Sequence, residues 1–152
     1  KCRCTPGQIR RYLSQRISGP LLNRVDLHVE VARPLYEDLI SAREGEPSSA
    51  VRNRVEQVRE IQRERYQKAG ILVNSQLRGG MFDEFCKLDA ACELLLSSAF
   101  QSLNLSARAY RRILMVARTI ADLAGSGEIR EEHVAEAVQY RSLDRKYWGG
   151  EV

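Results

Sequence analysis

Residues 105–127 read LSARAYRRILMVARTIADLAGSG, and this stretch decides the fold class. After Ser106, the residues Tyr110, Ile113, Leu114, Ala117, Ile120, Ala121 and Ala124 recur at spacings of three and four. That periodicity predicts a helix with one broad apolar face, capped by Ser106 and stopped by Gly125. The same spacing assigns Arg108, Arg111, Arg112, Arg118 and Asp122 to the opposite, polar face. Arg108 is out of place there. The start of a helix carries a partial positive charge and favours acidic side chains. A bound anion would remove the conflict, because the unpaired N–H groups of a helix start bind phosphate and a guanidinium adds a bidentate contact. A solvent-exposed arginine without a partner is the plainer alternative.

The flanking segments continue the helical pattern. DAACELLLSSAFQSLN (89–104) carries Asp89 as a cap and turns Cys92, Leu95, Leu96, Ala99, Phe100 and Leu103 inward. IREEHVAEAVQYRS (129–142) predicts a last helix with Val134, Ala137 and Val138 inward. Three helices with mutually available apolar faces make a small bundle. Further upstream, PSSAVRNRVEQVREIQRERYQKAG (47–70) predicts a helix with Ser48 or Ser49 as cap and Gly70 as stop. Its apolar stripe is narrow: Val51, Val55, Val58 and Ile61. Six basic residues (Arg52, Arg54, Arg59, Arg63, Arg65, Lys68) face three acidic ones across positions 47–68. Such a helix is either a solvated surface laced with spaced ion pairs or a nucleic-acid contact. Between these helices, NSQLRGGMFDEFCKL (74–88) reads as a loop and a short helix; its Gly79-Gly80 pair is no phosphate loop, because G-x-x-x-x-G-K-[ST] occurs nowhere in the chain.

The N-terminal third differs. PGQIRRYLSQRIS (6–18) spaces Ile9, Tyr12, Leu13 and Ile17 as a helix, and Gly19-Pro20 stops it. VDLHVEV (25–31) alternates strictly, with Val25, Leu27, Val29 and Val31 on one face and Asp26, His28 and Glu30 on the other, which predicts a strand. No second strand of equal quality follows, so its sheet is expected outside these residues. Arg24 sits in the turn between that helix and that strand, where an arginine either stabilises phosphoryl charge in trans or pairs with Asp26.

The 152 residues, +4 formal charge and 29% charged side chains suit one globular domain, or one domain and part of another. The first residue is Lys1, and the chain reads as a piece of a longer one. No run of eighteen apolar residues or signal peptide marks a membrane or secretory destination, and a cytoplasmic location is expected. Cys86 and Cys92 lie among apolar residues and read as buried thiols. Cys2 and Cys4 form a C-x-C that is either half of a zinc site or a pair of plain thiols; His28 and His133 are not spaced to complete it. Neither a Ser/His/Asp set nor a carboxylate pair points to an independent enzyme. Both histidines read as structural or solvent-exposed.

RISGPLLNRVDLHVEV (16–31), followed by residues 105–141, resembles the C-terminal part of the magnesium-chelatase-like AAA+ ATPases, in the branch that includes competence protein ComM and YifB. The leading CRCTPGQI also fits that branch, in which a further cysteine pair lies upstream. The resemblance implies a mainly α fold: a helical AAA+ lid bundle preceded by a remnant, one helix and one strand, of an α/β AAA+ core. It divides the chain into a core remnant (1–33), a connecting helical segment (34–88) and the lid (89–152). It implies that Arg24 is an arginine finger reaching the neighbouring subunit's ATP, and that Arg108 is the sensor-2 arginine on the phosphates of its own subunit. ATP and Mg2+ are the implied cofactors, with Zn2+ a further candidate at Cys2 and Cys4. A homo-oligomeric ring, a hexamer in most AAA+ proteins, is the implied partner set, and DNA is a candidate for the remodelled macromolecule. Asn23 departs from the aspartate common in relatives. The phosphate loop and Walker B acids are implied to precede Lys1, so these residues alone are expected to be inactive. The competing reading is a free-standing helical DNA-binding module.

Overall fold

Seven α-helices and one 3-10 turn are found among the residues that the computed structural model describes, which are 3–16, 21, 24–40 and 45–141. In chain order they are α1 (Pro6–Arg16), α2 (Tyr36–Ile40), α3 (Ser48–Tyr66), the 3-10 turn Asn74–Gln76, α4 (Met81–Phe85), α5 (Ala90–Ser102), α6 (Ala107–Leu123) and α7 (Glu131–Gln139). The protein is mainly helical, as the periodicities predict.

Helix α6 is the centre of the bundle and packs against α7 and α3. Its apolar face buries Ala109, Ile113, Leu114, Ala117 and Ala121. Both ends are chemically terminated. The Ser106 hydroxyl accepts the Ala109 N–H at 3.2 Å, which satisfies one of the orphan donors of the first turn. At the other end Gly125 adopts φ +67°, its N–H donates to Asp122 C=O at 3.1 Å and the Ser126 N–H donates to Ala121 C=O at 2.8 Å. That bond pair is a Schellman stop, which needs a left-handed residue at the glycine position. Helix α5 begins at Asp89, whose carboxylate accepts the Cys92 N–H at 2.8 Å. This bond holds the Asp89 carboxyl below its ordinary range. Cys92 and Leu96 of α5 and Val134 and Ala137 of α7 complete the interior.

The core reaches further upstream than the three-helix pattern. Tyr66, Ile71, Leu77, Phe82 and Cys86 belong to the same buried cluster as α5, α6 and α7. Tyr66 is fully buried, meets the Phe85 ring edge-on at 4.9 Å and donates its hydroxyl to Asn74 Oδ1 at 2.6 Å. The two thiols expected inside, Cys86 and Cys92, are buried.

Three expectations need correction. Of the expected stripe of α3 only Val58 is buried, and Gln62 and Tyr66 complete the seam; Val51, Val55 and Ile61 keep 38–42% of their surface. Only the C-terminal half of α3 meets the bundle, and it does so partly through polar groups. Pro47, not a serine, stands at its cap position, and no side chain caps the helix. Second, Arg118 and Asp122 are not on a solvated face: they are 3% and 2% exposed. They extend the ridge begun at Leu114 in steps of four, which stays on one side of a helix. Third, residues 25–31 have no regular secondary structure and bend at Asp26, and no strand is formed among the described residues. Val25, Leu27, Val29 and Val31 keep 42–86% of their surface, Leu27 bordering a groove on α6, and His28 is half-buried. With no neighbouring strand, the backbone bonds to the bundle instead.

Candidate functional site

The start of α6 is where the sequence puts its misplaced cation. No acidic residue lies in the first turn of α6, and Arg108 there is exposed. The helix carries four arginines, and three of them have partners. Arg111 lies over the Phe82 ring at 5.9 Å. Arg112 pairs with Asp26. Arg118 is buried against Asp122. Arg108 has no ion pair or hydrogen bond among the described residues. The Ser106 cap takes only the Ala109 N–H, so the N–H groups before it lack helical acceptors and point the same way as the helix start. A cation with unspent donors beside unspent backbone N–H groups is a surface suited to an oxyanion. A cleft of about 580 Å³ between α4, α5 and α6 is lined by Gly79, Phe82, Tyr110 and Arg111, and Arg108 is not part of its lining.

Arg24 is exposed in a turn closed by its own N–H, which donates to Leu21 C=O at 2.9 Å. The partner considered for it, Asp26, is engaged by Arg112. That contact brings the Arg24 segment against α6 one turn beyond Arg108, a rise of about 6 Å along the helix. Two backbone bonds strengthen it. The His28 N–H donates to Tyr140 C=O at 2.9 Å, and the Arg141 guanidinium donates to Val25 C=O at 2.6 Å. Both candidate arginines are therefore carried by one assembly of α6, α7 and the segment 24–28. Asn23 lies outside the described residues.

The zinc candidates are not assembled here. Cys4 is exposed, Cys2 lies outside the described residues, and no group of three or more His, Cys, Asp or Glu side chains among the described residues is placed to hold a metal ion. His133 is a structural residue: it is 3% exposed, and its Nδ1 accepts the Arg130 N–H at 3.0 Å.

The basic surface of α3 is weaker than its count of charges. Arg54 makes a two-pronged contact with Glu46 at 2.8 and 3.0 Å, Arg63 pairs with Glu60 at 2.6 Å, and Arg65 turns inward to Asp122. This leaves Arg52, Arg59 and Lys68 of the six basic residues without an ion pair among those described.

Pattern reading missed the polar centre of the bundle. Asp122 accepts from Gln62 Nε2 at 3.2 Å, Arg65 Nη1 at 2.9 Å, Asn74 Nδ2 at 2.9 Å and Arg118 Nε at 3.1 Å. Arg118 uses its remaining donors on Ser126 C=O at 2.7 Å and Gly127 C=O at 2.9 Å, gripping the stop turn of α6. Burial lowers the affinity of Arg65 for its proton, but the hydrogen bond and charge of Asp122 outweigh it and hold the guanidinium above its usual value. The arrangement anchors α3 to α6. The i, i+4 pairing of Arg118 with Asp122 was its only signal in the sequence.

Comparison with known proteins places these features in a family. Residues 45–141 match the family model described as magnesium chelatase, subunit ChlI C-terminal, and residues 1–39 match that of magnesium chelatase, subunit ChlI. Competence protein ComM of Haemophilus influenzae is 44% identical over 144 residues, covering 94% of this chain and 27% of that protein. The uncharacterized protein YifB of Escherichia coli is 42% identical over 147 residues, covering 94% of this chain and 28% of its own length. An uncharacterized protein of Mycobacterium bovis is 38% identical over 140 residues. The chain thus spans about a quarter of the length of the curated relatives it matches. No helix among the described residues is long and apolar enough to cross a membrane. With a ChlI C-terminal match that runs from residue 45 to Arg141, which itself contacts Val25, the chain belongs to the magnesium-chelatase-like family, in the ComM and YifB group.

Proposed function

We propose that these residues form the lid and subunit-interface portion of a magnesium-chelatase-like AAA+ ATPase. In this reading Arg108 is the sensor-2 contact to the phosphates of ATP bound with Mg2+ in its own subunit. Arg24 is the arginine finger, reaching the nucleotide of the next subunit in a homo-oligomeric ring, taken as a hexamer. The observation that carries the reading is the start of α6: alone among its four arginines, Arg108 has no partner among the described residues, and it stands where an anion is favoured. The other three arginines have roles inside the fold, which leaves Arg108 to serve something outside it. The remodelled substrate is a macromolecule, with DNA the first to test in view of the competence-named relative. The division into 1–33 as core remnant, 34–88 as connection and 89–152 as lid belongs to the same proposal.

The test uses the full-length protein. Arg24→Ala should lower ATP turnover about a thousandfold or more while leaving nucleotide binding intact, since a finger acts on the transferring phosphoryl group. Arg108→Ala should weaken binding of an ATP analogue by roughly ten- to a hundredfold and ADP less, the loss of one charged hydrogen-bond partner being about 1.5–3 kcal/mol. Equal loss for both nucleotides would reduce Arg108 to a general lid contact, and no loss for either would remove it from the site.

A further inference from the structure

Arg24 projects from a turn into solvent, and a long side chain on a mobile turn is a poor catalyst. Effective positioning requires the backbone that carries it to be held. The described structure holds it on both sides. Before it, the Arg24 N–H closes onto Leu21 C=O at 2.9 Å. After it, three contacts come from the bundle: Arg141 to Val25 C=O at 2.6 Å, Arg112 to the Asp26 carboxylate, and the His28 N–H to Tyr140 C=O at 2.9 Å. Arg141 is 1% exposed although it is charged and lies near the end of the last helix. One of the contacts of this buried guanidinium reaches a backbone carbonyl 116 positions away, and burying such a charge is costly unless it is bonded. The buried apolar cluster of α5, α6 and α7 includes no residue of 24–28, of which Asp26 and Leu27 border a groove beside Met115, Val116 and Ile120.

We propose that Arg141 and Arg112 are positioning residues for Arg24, so that the proposed finger moves as one body with the lid of its own subunit. This rests on the role proposed for Arg24. In a ring, a lid displaced by nucleotide at one subunit would carry that subunit's Arg24 toward or away from the next subunit's phosphates, and Asp26–Arg112 and Arg141–Val25 would be the couplings. The side chains of Arg112 and Arg141 need not touch nucleotide.

Two measurements on one set of variants test it: Asp26→Arg, Arg112→Asp, the double exchange of the two, and Arg141→Met. The first measurement is hydrogen exchange of the His28 amide in this chain, which reads the attachment directly. The second is steady-state ATP turnover in the full-length protein. Each single Asp26 or Arg112 variant should speed exchange at His28 and lower kcat by roughly ten- to a hundredfold, the cost typical of a misplacement near 1 Å, with KM for ATP unchanged. The double exchange should restore both. Arg141→Met should act in the same direction, and the charge exchange keeps the test independent of whether that buried variant folds. Unchanged exchange in the single variants overturns the attachment. Faster exchange with unaltered kcat, in a protein where Arg24→Ala abolishes turnover, overturns the positioning role. Full turnover in Arg24→Ala also overturns the inference, through failure of the reading beneath it, and that variant alone tells the two apart.

Discussion

Removing the Asp122 carboxylate should be among the most damaging single changes available to this bundle. Asp122 is 2% exposed and is the common acceptor for Gln62, Arg65, Asn74 and Arg118. Asp122→Ala leaves the Arg118 charge, 3% exposed, without its carboxylate, and strands Arg65, whose side chain is 18% exposed. Breaking a buried pair from one side costs about 3–5 kcal/mol. A domain of this size has about 5–15 kcal/mol in total, so the variant loses a large part of its margin. With a urea slope of about 1–3 kcal/mol/M, the midpoint should fall by about 1–5 M. Urea unfolding followed by far-ultraviolet circular dichroism measures this directly. Asp122→Asn is the sharper probe, because it keeps the shape but turns an amide N–H₂ toward donors, and it should cost nearly as much. Glu60→Ala, which breaks the exposed Arg63–Glu60 pair, serves as control and should cost at most about 1 kcal/mol. A loss below about 1 kcal/mol for both Asp122 variants would refute the view that this carboxylate ties α3 to α6.

Two other outcomes follow from local chemistry. Ser106→Ala removes the acceptor of the Ala109 N–H and should cost about 0.5–2 kcal/mol by thermal or urea unfolding; no change would mean that solvent caps α6 equally well. Burial pushes the Cys86 thiol up to about 11 from an ordinary 9.0. The unfolded thiol then ionises first as pH rises, the native state holds more protons, and stability falls between about pH 9 and pH 11 at up to about 1.4 kcal/mol per pH unit. Burial raises the Tyr66 phenol in the same direction. Cys86→Ala should flatten the alkaline decline measured by unfolding at fixed pH steps.

How far the molecule could be read from its sequence depended on whether the deciding interactions were local. Caps and stops are local, and Asp89, Ser106 and Gly125 behave as their residue types predict. The apolar face of α6 is periodic over 17 residues, so buried Ile113, Leu114, Ala117 and Ala121 were legible, whereas Tyr110 and Ala124 of the same expected face are exposed. Beyond Val58, the seam of α3 was not legible. Its choice of Gln62 over Ile61 is made by Asp122, 60 positions further along the chain, and by Asn74, 12 positions further along, which is itself bonded to Asp122. Arg118 and Asp122 failed for the same reason, because a charged pair looks solvated until its partners are known. The alternating segment illustrates the converse. Period two suits an extended backbone, but whether such a segment becomes a strand depends on a neighbour. Of the site, Arg108's odd location was visible at once, whereas its isolation among partnered arginines needed the packing of Phe82, Asp26 and Asp122 around α6.

The exposed valines and leucine of segment 25–31 also bear on how the chain behaves in the test tube. A strand-patterned run whose apolar side chains keep 42–86% of their surface, with no ladder partner among the described residues, can template edge-to-edge association. Asp26 and Glu30 interrupt the run with charge, and the net charge of +4 adds repulsion between molecules. Both defences weaken in salt, where screening falls to within about 10 Å at 0.1 M. Concentrated, high-salt solutions of these residues therefore favour aggregation through this one segment, while the bundle behind it stays folded.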